Sequence, residues 1–116
     1  MVLYGIKNCN TVKNAVTWLN GKKVKFEFHD YKSKGITEEK LKAWSKQVGW
    51  ENLVNKRGTT WRQLDESIQQ KVTSEKAAIA LMLEKTSVIK RPLIEENGKV
   101  VALGFDESIY STVFSQ

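Results

Sequence analysis

The sequence is poor in the residues that build metal and disulfide sites. Its 116 residues include one cysteine, one histidine and one proline. A single cysteine excludes an intramolecular disulfide, a CxxC redox pair and a cysteine-rich zinc site. A single histidine excludes a histidine cluster, so no metal cofactor is expected. No run is long and apolar enough to span a bilayer. The opening MVLYGIKNC lacks the charged and then apolar regions of a secretory signal. Low-complexity stretches, internal repeats and Gly/Ser/Pro-rich linkers are absent too. The expectation is a cytoplasmic protein with a reduced thiol and no membrane partner.

The residues that are present fill one ordinary core. A hydrophobic fraction of 41%, with four Trp and four Phe, excludes a disordered chain and fits a single domain over 1–116. The 19 Lys+Arg against 13 Asp+Glu give a formal net charge of +6. That excess favours anionic partners, such as nucleic acid, a small oxyanion or an acidic peptide. It is equally compatible with a solvated basic surface. No helix shows a clear Lys/Arg reading face, and the tryptophans at 18, 44, 50 and 61 are irregularly spaced. Direct nucleic-acid binding is therefore not expected.

Element types alternate along the chain. Val2–Ile6 reads as a short buried strand. A helix follows at once, capped by Asn10 or Thr11, with Val12, Ala15, Val16 and Leu19 at helical spacing and a stop at Asn20-Gly21. Lys25–Tyr31 alternates apolar and charged residues as a half-buried strand does, and Lys32–Gly35 reads as a turn. Thr37 starts a helix with an acidic first turn, which carries Leu41, Trp44 and Val48 and ends at Gly49. Trp50–Arg62 is irregular, with short helices reaching Val72. Thr73 or Ser74 caps a helix over Glu75–Lys85 that is apolar nearly all round and so expected to be buried. Asn97-Gly98 predicts a hairpin between strands at Leu93 and Lys99–Leu103. Asp106 caps a final helix with Ile109, Tyr110, Val113 and Phe114. The first two strands, joined through a helix, should be parallel, and the last two antiparallel. The order predicts an α/β protein: a mixed four-stranded sheet flanked by helices, thioredoxin-like in its sequence of elements, with a helical insertion at about 36–85 between strands 2 and 3.

Within that order Cys9 stands between the first strand and the first helix. There the helix dipole and its free N–H groups favour a thiolate, with Lys7 nearby as a second source of positive charge. Its polar neighbours Asn8 and Asn10 argue against a buried structural cysteine. Pro92 opens the third strand; a cis bond before it is the rarer state and an ordinary trans proline at a strand edge the commoner, and the residue pattern alone does not separate them. Arg57, beside Gly58, and Arg91, before Pro92, are candidates for bidentate binding of a carboxylate or oxyanion. Each also reads as a solvated cation, as does Arg62. His29, on a strand beside Asp30, reads as structural or surface.

Four segments together resemble one family. They are Tyr4–Ala15 (YGIKNCNTVKNA), Asn55–Arg62 (NKRGTTWR), Lys90–Leu93 (KRPL) and Gly104–Glu107 (GFDE). In this order they resemble the arsenate reductase (ArsC)/Spx family and are most similar to its YffB-like subgroup of proposed glutathione-dependent thiol reductases. The resemblance spans nearly the whole chain. It implies a thioredoxin-like fold with Pro92 as the cis-proline beside the site. It makes Cys9 the counterpart of the cysteine that attacks arsenate, and Arg91 that of an oxyanion-binding arginine. Asn55 stands where glutaredoxin-linked arsenate reductases carry a catalytic arginine, with Arg57 two residues on. Gly104 stands in place of a third arginine. A CxxC switch of the Spx kind is excluded, because Cys9-Asn10-Thr11-Val12 has no second cysteine.

The resemblance thus implies a glutathione-dependent thiol reductase. Cys9 is the nucleophile, while Lys7, Arg57, Arg91 and the backbone at Pro92 hold glutathione. An external thiol, glutathione with or without glutaredoxin, completes turnover. It offers two alternatives: arsenate reduction, and an Spx-like regulator that binds RNA polymerase.

Overall fold

The computed structural model describes residues 1–114. In chain order the elements are β1 (Val2–Gly5), α1 (Asn10–Gly21), β2 (Glu27–Asp30), α2 (Tyr31–Lys34), α3 (Glu38–Val48), α4 (Trp50–Leu53), α5 (Thr59–Arg62), α6 (Glu66–Lys71), α7 (Glu75–Glu84), a 3-10 turn (Thr86–Val88), β3 (Leu93–Glu96), β4 (Lys99–Leu103) and α8 (Glu107–Val113). They divide into two compact units. One comprises Met1–Lys34 and the chain from Arg91 onward; the other is Gly35–Lys90.

The first unit holds the sheet, ordered β2-β1-β3-β4. β1 and β2 run parallel, while β3 is antiparallel to both β1 and β4. Alternation divides the strand residues between two faces. Leu3, Ile94 and Ala102 pack with Val12, Ala15 and Leu19 of α1 and Tyr110 of α8 in one buried cluster. Tyr4, Leu93 and Glu95 point the other way and are also buried. The β3–β4 turn falls at Asn97-Gly98, where both residues have positive φ (52° and 81°), the backbone a tight hairpin needs. Asp106 caps α8 by accepting the Ile109 N–H at 3.1 Å.

Three details of this unit depart from the sequence pattern. Helix α1 begins one residue early, with Cys9 itself as the N-cap in place of Asn10 or Thr11. Strand β2 is confined to Glu27–Asp30, and Tyr31 instead opens a single helical turn. The Asp30 carboxylate accepts the Lys32 N–H at 3.0 Å, a local bond that competes with strand continuation. On α8 only Tyr110 is buried, while Ile109 and Val113 are 53% and 40% exposed.

The second unit is helical. Thr37 caps α3 and Ser74 caps α7, each accepting an N–H three residues on at 3.2 Å. Its buried side chains include Leu41 and Trp44 of α3, Leu53, Trp61, and Ala78, Ile79, Leu81 and Met82 of α7. Ala80 and Leu83 of α7 remain exposed, so that helix buries a face and not its whole circumference. Among the described residues no helix is long and apolar enough to cross a membrane.

Candidate functional site

The loop from Ile6 to Cys9 is short because β1 passes almost directly into α1. Gly5 permits this. A Cβ on Gly5 would lie 2.9 Å from one methyl of Val12 and 3.2 Å from the other. Val12 is buried in the first turn of α1. The end of the strand and the start of the helix therefore meet at a contact that only glycine allows. Cys9 is held at their junction, partly exposed and packed in part against the core cluster.

As N-cap, Cys9 has extended backbone (φ −124°, ψ 122°), and its carbonyl accepts the Lys13 N–H at 2.9 Å. Its sulfur makes no capping hydrogen bond of standard geometry. Burial by itself pushes the thiol pKa up. The Val12 amide, the charge and hydrogen bond of Arg91, and the Thr11 amide outweigh it, leaving the thiol below its ordinary value. Val12 and Thr11 occupy the third and second positions of the helix, where free N–H groups face the cap. No acidic residue stands in the first turn to oppose the anion. A partly exposed thiol with a favoured anion is a nucleophile.

Arg91 reaches Cys9 because it lies one residue before the Pro92–Leu93 entry to β3, and β3 pairs with β1. The Arg91–Pro92 bond is cis. Pro92 is buried, and its carbonyl accepts the Gly104 N–H at 2.7 Å. Gly104 has φ +85°, and its own carbonyl accepts the Tyr110 hydroxyl at 2.7 Å. Pro92, Gly104 and α8 are thereby tied together beside the arginine.

The other candidates are dispersed. Lys7 is exposed in the β1–α1 loop, and the cation that acts on the thiol is Arg91. Arg57 belongs to the second unit and is exposed. Its N–H donates to the Asn55 Oδ1 at 3.2 Å, and with Glu51, Asn55, Lys56 and Lys90 it lines a polar depression of that unit. Arg62 ends α5 and is exposed. The His29 ring stands against Tyr4, with centroids 4.7 Å apart. Among the described residues no group of three or more His, Cys, Asp or Glu side chains is arranged to hold a metal.

Sequence reasoning missed a buried polar group on the opposite side of the sheet from α1. The Tyr4 hydroxyl donates to the buried Glu95 carboxylate at 3.3 Å. The Tyr31 ring stacks at 6.2 Å from that of Tyr4, and the Tyr31 hydroxyl is buried without a hydrogen-bond partner. Burial holds the Tyr31 phenol above its ordinary pKa; the charge of Arg91 acts in the opposite sense. The available signal was the alternation of Glu95 with buried Ile94, which reads equally well as an exposed strand face.

A mixed β2-β1-β3-β4 sheet flanked by helices, with a cysteine capping the first helix and a cis-proline at the entry to β3, defines a thioredoxin-like protein. The chain belongs to the ArsC family, whose profile matches residues 4–113. It is similar to the solved structure of the YffB protein, at 46% identity and a TM-score of 0.90, with 98% of each chain covered. It is also similar to an arsenate reductase (ArsC) related protein from Brucella melitensis. That match has 41% identity and a TM-score of 0.78, covering 99% of this chain and 94% of that one. The global transcriptional regulator Spx of Streptococcus mutans is 28% identical over 109 residues, 92% of this chain and 77% of that protein.

Proposed function

We propose that this protein is a glutathione-linked thiol reductase in which Cys9 is the nucleophile. The observation that carries the reading is the Cys9 sulfur at the N-terminus of α1 with the Arg91 guanidinium beside it. The Cys9 thiolate attacks the glutathione sulfur of a mixed disulfide. A Cys9–glutathione disulfide forms, and the substrate leaves as its thiolate. The chain has no second cysteine to resolve this disulfide. The thiolate of a second glutathione attacks it, releasing oxidised glutathione and restoring the Cys9 thiolate. Across the two steps the mixed disulfide and one glutathione thiol give the substrate thiol and oxidised glutathione, one disulfide being exchanged for another. Arg91 stabilises Cys9 as nucleophile and as leaving group. Lys7 supplies positive charge for a glutathione carboxylate, and the backbone beside Pro92 offers its peptide an extended partner.

Arsenate reduction would use the same Cys9 and Arg91, in keeping with the related protein from Brucella melitensis. It demands more cationic charge around the oxyanion, and Gly104 supplies none. The test is turnover of a glutathione mixed disulfide by the full chain, with arsenate as a parallel substrate. The Cys9→Ser variant is expected to lose at least about a hundredfold in kcat/KM, as removal of a nucleophile does. Full disulfide turnover by Cys9→Ser would reject the mechanism. Cys9-dependent formation of arsenite at a rate above disulfide turnover would replace it with arsenate reduction.

A further inference from the structure

Beside the cysteine loop the first unit carries an apolar groove that the reductase chemistry so far leaves unused. It is lined by Lys7, Val12, Lys13, Val16, Thr17, Phe26 and Phe28 and measures about 510 Å³, within the range of small-ligand sites. Val12, Lys13, Val16 and Thr17 form one side of the first two turns of α1. Phe28 lies on β2, an edge strand of the sheet, and Phe26 just precedes it. Val16, Phe26 and Phe28 are only partly buried, although each packs against the core cluster.

The groove lies beside the cysteine loop, although Cys9 does not itself line it. Lys7 is two residues before Cys9, and the amide of Val12 is one of the two that favour its thiolate. Its two charged lining residues, Lys7 and Lys13, are both cationic. Among the described residues no acidic side chain lines it. An apolar trough with ammonium groups fits a ligand that is apolar in body and carries a carboxylate.

We infer that this groove binds the substrate half of the mixed disulfide, and that the preferred substrates are small apolar thiols bearing a carboxylate. The inference rests on the thiol-reductase reading and assigns the group that leaves Cys9's attack. Thiolate attack on the glutathione sulfur breaks the disulfide, and the electron pair of the broken bond stays on the apolar thiol, whose body lies along Val12, Val16, Phe26 and Phe28. Lys13 faces its carboxylate, while Lys7 stays with glutathione. The charge-assisted contacts and the apolar burial act on the same half of the substrate and separate it from a small neutral thiol.

Two glutathione mixed disulfides test this on the full chain, one with 4-(mercaptomethyl)benzoate and one with 2-mercaptoethanol. Both leaving thiols are alkyl thiols, so the comparison reads the groove. The expected result is a kcat/KM roughly tenfold higher for the aryl carboxylate, in line with discrimination by an apolar pocket. Thr17→Trp, which fills the groove from an exposed helix position, is expected to bring that ratio to about one, and Lys13→Glu to lower it. Equal kcat/KM values in the unaltered chain, or a ratio unchanged in both variants, would overturn the inference. If neither disulfide is turned over, the reductase reading fails by itself. The groove is then read by ligand-observed NMR with 4-methylbenzoate on Cys9→Ser. Saturation transfer that is lost in the Cys9→Ser, Thr17→Trp double variant supports the groove, and no transfer in Cys9→Ser refutes it.

Discussion

At the scale of single residues, the chemistry turns on which groups are charged and what faces them. Cys9 has a folded-state pKa below its unfolded value, set against its burial by the Val12 amide, Arg91 and the Thr11 amide. The folded chain then binds fewer protons at this site than the unfolded chain between the two pKa values. The stabilisation is fully present above the unfolded pKa and is lost as pH falls through the folded pKa. The stability difference between the native chain and Cys9→Ser, from denaturant titration, is therefore expected to move in favour of the native chain as pH rises from 6 to 9. A difference independent of pH would mean that the thiol is not perturbed. Tyr31 poses the opposite case. Its hydroxyl is buried without a hydrogen-bond partner, so Tyr31→Phe is expected to raise stability by about 1 kcal/mol. A loss of stability in the same titration would show that the hydroxyl has a partner. Cys9 was legible as a candidate because strand and helix patterns bracket it. Tyr31 and Glu95 were not, because the residue pattern gives no sign of which face of the sheet is covered.

At the scale of elements, the position of Cys9 depends on how closely β1 approaches α1. Gly5→Ala places a methyl 2.9 Å from a branched, buried Val12 side chain that cannot swing away. The expected cost is about 1–3 kcal/mol, with a slower reaction at Cys9 as the first turn of α1 shifts. Thermal unfolding and alkylation rate measure the two effects, and Val12→Ala in the same chain is expected to restore part of both. An unchanged alkylation rate in Gly5→Ala would show that the contact does not position the thiol. Helices with an oxygen-bearing cap were well marked in the sequence. Thr37, Ser74 and Asp106 each accept a first-turn N–H as their residue type suggests. The cap of α1 lies one residue before Asn10 and two before Thr11, the residue types that favour a cap, because cysteine is not a standard capping residue. Aromatic alternation extends the second strand to Tyr31, but the local Asp30–Lys32 bond turns the chain there. The exposure of Ile109 and Val113 was hidden for a related reason: helical spacing shows that apolar residues share a face, not that the face is covered.

At the scale of the whole molecule, the sheet order and its mixed pairing followed from element types and connection lengths. The hairpin at Asn97-Gly98 fixed the antiparallel pair, and the helix between β1 and β2 fixed the parallel one. The pairing of Arg91 with Cys9 was not available from spacing, since 82 positions of chain separate them and only the β1–β3 pairing brings their loops together. Lys7, close in sequence, suggested itself instead. The net charge of +6 fits an anionic thiol substrate without selecting one. What selects the chemistry is a single thiol whose anion is favoured by a helix terminus and one arginine. The rate of Cys9 alkylation by iodoacetamide against pH tests this most directly, in the native chain and in Arg91→Met. The expected midpoint lies below the ordinary thiol value of about 8.5 and rises in Arg91→Met. A midpoint at or above the ordinary value, unmoved by Arg91→Met, would contradict a nucleophilic Cys9.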